Sequence, residues 1–170
     1  MSGPTTTTGS VRGGPVGAAE RDAVAALLAD LWFDDIVVVH DDIYRLADLP
    51  TLVARDGDVI VGAATYRLTG DRAELVSLNS LRPGAGIGSA LLAAVEQAAV
   101  DAGYALVELT TTNDNVDALG FYQRRGYRMV AIDRGAVDRA RRLKPAIPET
   151  GLHGLPLRDE IRLEKILPVR

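Results

Sequence analysis

A glycine-dense segment at residues 78–92 has the residue types of a turn that binds an anion. Gly84, Gly86 and Gly88 carry no Cβ atom, so the backbone there can adopt positive φ and come close to a ligand. Apolar residues then recur at helical spacing through Val95 and predict a helix that begins directly after the turn. The first N–H groups of a helix have no partner within it, and together with the helix dipole they favour a phosphate or pyrophosphate.

Two familiar phosphate-binding motifs do not fit this spacing. A P-loop ends in Gly-Lys-Ser/Thr, whereas Gly88 is followed by Ser89 and Ala90. A dinucleotide-binding turn needs a third glycine three residues after the second, and Ser89 occupies that position after Gly86. For this segment taken alone, a plain helix-start turn without a ligand is an open alternative.

A second segment, residues 115–127, lies downstream of the glycine turn. In this order and at about this separation, the two segments resemble the GNAT family of acyl-CoA-dependent N-acetyltransferases. The family's second motif has the form Asn-x-x-Ala-x-x-Phe-Tyr-x-x-x-Gly-Phe/Tyr. The matching positions here are Asn115, Ala118, Phe121, Tyr122, Gly126 and Tyr127. The resemblance implies an acyltransferase that uses acetyl-CoA.

The resemblance also implies which residues bind coenzyme A. The family's first motif, Gln/Arg-x-x-Gly-x-Gly/Ala, wraps the pyrophosphate, and backbone groups of the preceding strand hold the pantetheine arm and polarise the thioester carbonyl. With the neighbouring Arg82 and the rest of the turn included, the candidate cofactor-binding residues are Leu78, Ser80, Arg82, Gly84, Gly86, Ile87, Gly88, Ser89, Ala90, Asn115 and Tyr122.

One position departs from the family's first motif. Pro83 stands three residues before Gly86, where the family has Gln or Arg, and proline has no N–H to donate. A hydrogen bond to a charged group contributes about 1.5–3 kcal/mol, so its loss weakens cofactor binding without abolishing it. We expect Arg82 to reach back toward the phosphates.

The predicted reaction is transfer of an acetyl group from acetyl-CoA to a primary amine by direct attack. It needs positioning, polarisation of the carbonyl and a proton for the departing sulfur. By resemblance, Tyr122 is the tyrosine that protonates the thiolate, and its reference pKa near ~10 suits that role. Packing in the core beside Phe121 is the alternative for Tyr122. Asn115 fits a cofactor contact, the N-cap of its helix, or both.

The general base is the least defined part of the predicted site. Glu74, on the strand that enters the site, is the candidate catalytic base, and an exposed strand carboxylate is the alternative. Asp114, Asp117 and His153 are further candidates, but no pair of these residues has a diagnostic spacing. A water chain or binding of the neutral amine can replace a base. Because Pro83 departs from the first motif and no base is clear, a second function class stays open: a non-catalytic acyl-CoA-binding or interaction domain with the same fold.

Composition limits the other classes of function. The chain of 170 residues has no cysteine and two histidines, which argues against a metal site. A formal net charge of −4 argues against nucleic-acid binding. A positively charged site for the cofactor must therefore be local. Arg124 and Arg125 could supply it, and a solvated helix face is the alternative for these two residues. Apolar runs such as Ile36–Val39 are far shorter than the ~18 residues of a membrane span. With no visible secretory signal, we expect a cytoplasmic protein without a membrane partner.

The sequence pattern predicts one domain over residues 17–170 after a disordered tail at 1–16. Alternating strands and crossover helices indicate an α/β or α+β fold. The resemblance implies a mixed, mostly antiparallel central sheet flanked by helices, whose central strands splay apart around the thioester. The predicted helices are 18–32, 88–102, 115–125 and 136–143, and the predicted strands are 51–55, 59–68, 72–80, 105–112, 127–133 and 158–166.

The connection at 134–157 is longer than the link that the family often has between its last strands. Three prolines and two glycines give residues 144–156 a defined path, and we expect this loop to close over the acceptor site, with a passive surface excursion as the alternative. The acceptor is a small-molecule amine or a protein amino group, and a homodimer is left open. Acidic residues that could attract a cationic amine, or lie in solvent, are Asp34, Asp35, Asp41 and Asp42.

Overall fold

The computed structural model describes residues 12–32, 36–39 and 42–168. The strands in this part of the chain are β1 Arg12–Pro15, β2 Ile36–Val39, β3 Asp42–Arg45, β4 Thr51–Asp56, β5 Val59–Thr69, β6 Arg72–Ser80, β7 Leu106–Thr112, β8 Arg128–Asp133 and β9 Glu160–Ile166. The α-helices are α1 Arg21–Trp32, α2 Ile87–Asp101, α3 Val116–Gln123 and α4 Ala136–Leu143. Short 3-10 turns occupy Ala18–Glu20, Leu46–Asp48 and Leu152–Gly154.

Seven of these strands form one sheet in the order β1-β4-β5-β6-β7-β9-β8, and β2 and β3 form a separate hairpin. Neighbouring strands of the large sheet are antiparallel except β6 and β7, which are parallel. Because a parallel pair needs a crossover connection, α2 links the end of β6 to the start of β7. The structure confirms the predicted fold class, a mixed, mostly antiparallel sheet flanked by helices.

The larger hydrophobic core lies between the sheet and α2. Ile87, Leu91, Leu92 and Val95 of α2 are no more than 1% exposed and belong to the same core as Leu109 of β7. Their intervals of one to four residues place them on one side of the helix. Burial of each large side chain stabilises the fold by roughly 1.5–3 kcal/mol. The first residue of α2 is therefore fixed against the sheet.

A second core lies on the opposite side of the sheet, under α1 and the β2-β3 hairpin. Val24 and Leu28, one turn apart on α1, pack there with Val37 of β2 and with Val53 and Val76 of the sheet. The two cores place helices on both faces of the strands that lead to the glycine-dense segment.

The predicted helices and strands are confirmed, with small differences at their ends, but three strands were not predicted. Arg12–Pro15 pairs with β4, so the disorder predicted for 1–16 is wrong over these residues, and residues 1–11 lie outside the described part of the chain. Proline is tolerated on an edge strand, and the backbone of β4 supplies the partner. Ile36–Val39 pairs with Asp42–Arg45, although the sequence pattern marked it only as an apolar run.

Two further glycines with positive φ lie where a strand or helix ends. Gly57, with φ of 61°, lies in the turn between β4 and β5. Gly103, with φ of 85°, ends α2, where its N–H donates to Val100 O and the next N–H, of Tyr104, donates to Ala99 O. In the described residues, no helix is both long enough and apolar enough to cross a membrane.

Candidate active site

The parallel strands β6 and β7 separate toward their C-terminal ends. Their register pairs run only from Ala73 with Val107 to Leu75 with Leu109, yet β6 continues to Ser80 and β7 to Thr112. On its other side β6 stays paired with β5 as far as Ser80. Within the described chain, no strand pairs with the edge of β6 that faces β7 over residues 76–80. The opening between residues 76–80 and 110–112, hereafter the wedge, agrees with the predicted splay of the central strands.

The glycine turn, residues 81–86, connects the wedge to the start of α2. Gly84 has φ of 81° and Gly86 has φ of 76°, so both adopt the left-handed conformation that the sequence predicted. A Cβ atom placed on either glycine would have no other heavy atom within 4 Å. The space above the turn is therefore open to a ligand, which fits a phosphate group bound against the backbone.

The start of α2 presents main-chain donors to this space. Gly86 is the N-cap residue, and the first hydrogen bond within the helix runs from Ala90 N–H to Gly86 O at 3.0 Å. Ala90 N–H already donates within the helix, and a contact between Ala90 and the cofactor stays a prediction. The N–H groups of Ile87, Gly88 and Ser89 precede this bond and are the first-turn donors.

A short contact brings α3 against the start of α2. A Cβ atom on Gly88 would lie 3.3 Å from two ring atoms of Phe121, so the ring packs directly on the helix backbone. Arg125 stacks over the same ring at 3.6 Å and donates from Nη2 to Ser89 Oγ at 2.5 Å. A guanidinium group therefore stands beside the first turn of α2, where the sequence left Arg125 open between a cofactor contact and a solvated surface.

Arg82 points toward another partner. Its Nη1 lies 2.6 Å from Asp56 Oδ2, and both side chains are substantially exposed. Ser80, also exposed, donates from Oγ to the main-chain oxygen of Arg82 at 3.2 Å. Leu78 is half-buried and packs against the larger core. The structure thus brings Leu78 and Ser80 to the wedge and places the charge of Arg82 next to Asp56.

Tyr122 lies in the larger core with Phe121 and Tyr127 around it. Its ring is 8% exposed and makes edge contacts with those of Phe121, at 5.2 Å between centroids, and Tyr127, at 5.8 Å. Burial raises the pKa of the Tyr122 phenol above its ordinary value, because the phenolate would lose its hydration. The side chain thus carries its proton at neutral pH, as an acid requires, and also fills the core.

Asn115 caps α3. Its Oδ1 accepts a hydrogen bond from Ala118 N–H at 3.2 Å, which confirms the N-cap prediction. The cap and the packing of Phe121 on Gly88 fix the position of Tyr122 relative to the start of α2. A contact between Asn115 and the cofactor stays a prediction.

Charged side chains form a row on the sheet face opposite α2. Glu74, Glu108 and Glu164 are register partners across β6, β7 and β9, so their side chains share one face. Glu74 is buried and binds Arg67 Nε at 2.5 Å, and Glu108 is buried and binds Arg72 at 2.8 Å. These carboxylates are therefore held in ion pairs within the sheet.

Glu74 lies away from the open end of the wedge. Its register partner Glu108 is four residues before Thr112, which corresponds to about 13 Å along a strand. The structure does not bring Glu74 to the wedge with Leu78 and Ser80, because the strand direction separates them. The base role of Glu74 stays a prediction, and its ion pair with Arg67 favours a structural role.

The other candidate bases lie around the loop that follows α4. Asp114, 4% exposed, accepts a hydrogen bond at Oδ2 from Leu152 N–H at 2.8 Å, and its Oδ1 has no partner among the described residues. Asp117 and His153 are exposed and lie 3.1 Å apart on the surface. Asp34, Asp35 and Asp41, predicted near the acceptor, lie outside the described residues, and the side chain of Asp42 is not described.

The loop between α4 and β9 is fixed by side chains from two directions. Arg141 of α4 donates to three main-chain carbonyls of the loop, those of Ile147, Pro148 and Leu157. Asn113, directly after β7, bonds one carbonyl and two N–H groups further along, those of Pro156, Arg158 and Asp159. The loop expected to close over the acceptor site is thus hydrogen-bonded to the end of β7, beside the wedge.

An apolar cavity of about 580 Å³ lies between this loop, α4 and β2. Thr112 and Glu160, register partners at the end of β7 and the start of β9, form part of its wall. Thr112 lies four residues after Glu108, so it points to the same sheet face, opposite α2. The cavity therefore meets the wedge from the side opposite the glycine turn.

Sequence comparison relates the chain to known proteins. The model of the Acetyltransferase (GNAT) family matches residues 21–127. The chain is 41% identical over 137 residues to the uncharacterized protein YdhI of Bacillus subtilis (strain 168), which covers 80% of this chain and 86% of that protein. It is 38% identical over 154 residues to the uncharacterized protein YxbD of the same organism, covering 90% of this chain and 97% of that protein.

Structural comparison finds proteins of the same fold. The IAA acetyltransferase from Bacillus cereus ATCC 14579 superposes with a TM-score of 0.74 and 25% identity, covering 93% of this chain and all of that one. A GNAT family acetyltransferase from Elizabethkingia anophelis with acetyl-CoA bound has a TM-score of 0.68 and 20% identity, covering 92% of this chain and 98% of the other. A Bacillus subtilis acetyltransferase in complex with CoA has a TM-score of 0.66 and 20% identity, covering 94% of this chain and all of the other.

Proposed function

The chain belongs to the GNAT acetyltransferase family, and from that premise we propose that it transfers an acetyl group from acetyl-CoA to a primary amine by direct attack. The observation that carries this proposal is the wedge between β6 and β7, with the glycine turn at its edge. The edge of β6 that faces β7 beyond the last register pair and the first turn of α2 present neighbouring main-chain groups to one ligand. Neighbours of the same fold contain CoA or acetyl-CoA, and a ligand of that kind suits both surfaces.

The pyrophosphate fits the start of α2. The N–H groups of Ile87, Gly88 and Ser89 point along the helix axis toward the open space above Gly84 and Gly86, and the helix dipole favours negative charge there. Arg125 adds a full positive charge through its contact with Ser89. The charge of Arg125 compensates in part for the N–H donor that Pro83 lacks. Arg82 does not take this role here, because it is paired with Asp56.

The pantetheine arm and thioester fit the wedge. Strand edges bind extended ligands through their main-chain N–H and C=O groups, and residues 76–80 of β6 have one edge without a partner strand in the described chain. Leu78 and Ser80 lie on that edge. When bound, acetyl-CoA supplies the activated acetyl group as a thioester. The protein holds the carbonyl next to fixed main-chain donors, and this positioning and polarisation contribute most of the rate enhancement.

Tyr122 is the proposed acid for the departing sulfur. A new bond joins the amine nitrogen to the acetyl carbon, the bond from that carbon to sulfur breaks, and the phenol proton of Tyr122 passes to the thiolate. The amine loses one proton as the amide forms. In this proposal the amine binds in its neutral form, and a water chain carries that proton to the Tyr122 phenolate, which restores the phenol. Glu74 does not take the proton, because it is held by Arg67 and lies about 13 Å along the sheet from the end of β7.

Turnover distinguishes this function from a non-catalytic acyl-CoA-binding domain. The chain has no cysteine, so free thiol released from acetyl-CoA can be measured with a thiol reagent without a protein background. We expect thiol release that depends on an added primary amine, with a stoichiometric amide product seen by mass spectrometry. Binding of acetyl-CoA without amine-dependent release across a broad amine panel would assign the non-catalytic function instead.

A further inference from the structure

We infer that the apolar cavity between β2, α4 and the loop before β9 binds the acceptor, and that the acceptor is a small-molecule monoamine with a compact apolar body. This inference rests on the proposed acetyltransferase function and adds the substrate class. A branched alkyl chain or a single aromatic ring fits the description. The occupant is a free small molecule rather than a protein side chain, for reasons of size, lining and position.

The position of the cavity connects it to the wedge. Thr112 lies at the end of β7, three residues beyond Leu109, where the ladder with β6 stops. The same residue lines the cavity. A cofactor whose phosphates bind the start of α2 approaches the wedge from one face of the sheet, and the cavity opens on the opposite face. An amine seated there can reach a thioester in the wedge without crossing the sheet.

The lining of the cavity favours an apolar occupant. Among the described lining residues, all except Thr112, Lys144 and Glu160 have apolar side chains, contributed by β2, α4 and the loop. Its volume of about 580 Å³ lies within the range of small-molecule sites, which are lined mainly by apolar groups with a few polar ones. A hydrophilic amine would leave these walls in contact with water or with its own polar groups, at a cost in affinity.

The polar groups are placed unequally along the cavity. Glu160 is 6% exposed and stands opposite Thr112 in the ladder, so a carboxylate is buried at the end nearest the wedge. Lys144 lies at the C-terminal end of α4, about 10 Å along the helix from Val137, whose N–H donates to Arg158 O just before β9. A carboxylate at the wedge end suits the amino group of the acceptor, and this orientation leaves the apolar body against β2 and α4.

Hydrogen bonds and packing hold the walls of the cavity in place in the structure without a ligand. Arg141 is bonded to the carbonyls of three loop residues that line the cavity, Ile147, Pro148 and Leu157, and Asn113 holds the later part of the loop to the end of β7. Val137 and Ala140 of α4, which also line the cavity, are 3% and 4% exposed. A preformed pocket of this kind selects by shape and apolar area with little ordering cost.

Specificity for matched amines tests the substrate class. The panel contains 2-phenylethylamine and 3-methylbutylamine as apolar monoamines, 2-aminoethanol and 1,4-diaminobutane as polar ones, and a lysine-containing peptide. We expect kcat/KM for the best apolar amine to exceed that for 2-aminoethanol by at least about tenfold, since one or more methylene groups in a fitted pocket have effects of this size. A higher kcat/KM for the polar amines or the peptide would overturn the inference.

Variants of the cavity wall locate the binding site. Ala146 is exposed to solvent yet lines the cavity, so Ala146→Trp fills space there without a buried replacement that endangers folding. Leu143→Trp is the matched control, because Leu143 is 49% exposed near the same segment and does not line the cavity. We expect Ala146→Trp to lower kcat/KM for the apolar amines by about tenfold, with unchanged acetyl-CoA affinity, and Leu143→Trp to leave both unchanged. Equal kinetics in both variants would place the acceptor elsewhere.

Calorimetry separates this inference from the proposed function. Titration of 2-phenylethylamine into the protein saturated with CoA measures acceptor binding without turnover. Binding by the parent and by Leu143→Trp, with at least tenfold weaker binding by Ala146→Trp, supports the cavity even if no acetyl transfer occurs. No binding by the parent overturns the cavity assignment, whereas absent acetyl-CoA binding would count against the proposed function alone.

Discussion

Tyr122 packs in the larger core and is also the residue proposed to act as the acid. It is 8% exposed, touches two other aromatic rings and keeps its proton because burial raises its pKa. Replacement by phenylalanine keeps the ring contacts and removes the proton. This makes the position suitable for separating acid catalysis from packing.

We predict that Tyr122→Phe lowers kcat for amine-dependent thiol release by about 10²-fold or more, the usual contribution of a positioned acid, and leaves acetyl-CoA affinity unchanged. Steady-state kinetics and calorimetry measure the two quantities. Tyr127→Phe is the control, because it removes another hydroxyl of the same core, one bonded to Glu96 at 3.1 Å. Full turnover in Tyr122→Phe would refute the acid role.

The cation that contacts the first turn of α2 is Arg125 rather than Arg82. Arg125 donates to Ser89 in the first turn of α2, whereas Arg82 is paired with Asp56. We predict that Arg125→Gln weakens acetyl-CoA binding by about tenfold or more, the effect expected from one lost charged hydrogen bond, and that Arg82→Ala has a smaller effect. Arg124→Gln, at the exposed neighbouring position, is the matched control in calorimetric titrations. A larger loss for Arg82→Ala would restore the expectation drawn from the sequence.

At the scale of elements, the approach of α2 to the sheet depends on a glycine outside the turn. A Cβ atom on Gly62 of β5 would lie 2.6 Å from Ile87 Cγ2 and 2.7 Å from the carbonyl oxygen of Asn79. The first atom belongs to the first residue of α2 and the second to the backbone of β6. Any side chain at this position must therefore displace the start of α2 or the strand beside the wedge.

We predict that Gly62→Ala lowers the free energy of unfolding by about 1–3 kcal/mol, the usual cost of overpacking, and weakens acetyl-CoA binding as well. Denaturant unfolding and calorimetry measure these effects. Gly14→Ala is the control, since a Cβ atom there would meet only Arg55 Nη1 at 3.9 Å. Equal stability of the two variants would mean that α2 is free to shift.

The elements that lead to the cofactor site were predictable because their signals are local. The turn needs glycines with positive φ, α2 has an apolar face, and Asn115 caps α3. Arg12–Pro15 has no such signal, because its strand exists only through pairing with β4. The ion pair between Glu74 and Arg67 could not be predicted from the sequence either, because a bulge in the β5-β6 ladder decides which residues face each other.

At the scale of the whole molecule, the two proposed ligands approach from opposite faces of one sheet. The glycine turn, α2 and α3 lie on one side, and the apolar cavity lies on the other with the wedge between them. The cavity combines β2, the end of β7, α4 and the loop before β9, which are far apart in the sequence. No local pattern could predict it, although the length and proline content of the 144–156 loop indicated a fixed, functional segment.

The most direct test of the account is calorimetric titration of acetyl-CoA into the parent protein and into Gly86→Glu. The substitution places a carboxylate at the start of α2, where the phosphates are expected. Gly70→Glu is the matched control, because Gly70 also has positive φ, 57°, and open surroundings but lies in the β5-β6 turn. We predict binding by the parent and by Gly70→Glu, with binding to Gly86→Glu weakened at least a hundredfold, which corresponds to about 2.7 kcal/mol. Equal affinity in all three proteins, or no binding by the parent, would contradict the assigned cofactor site.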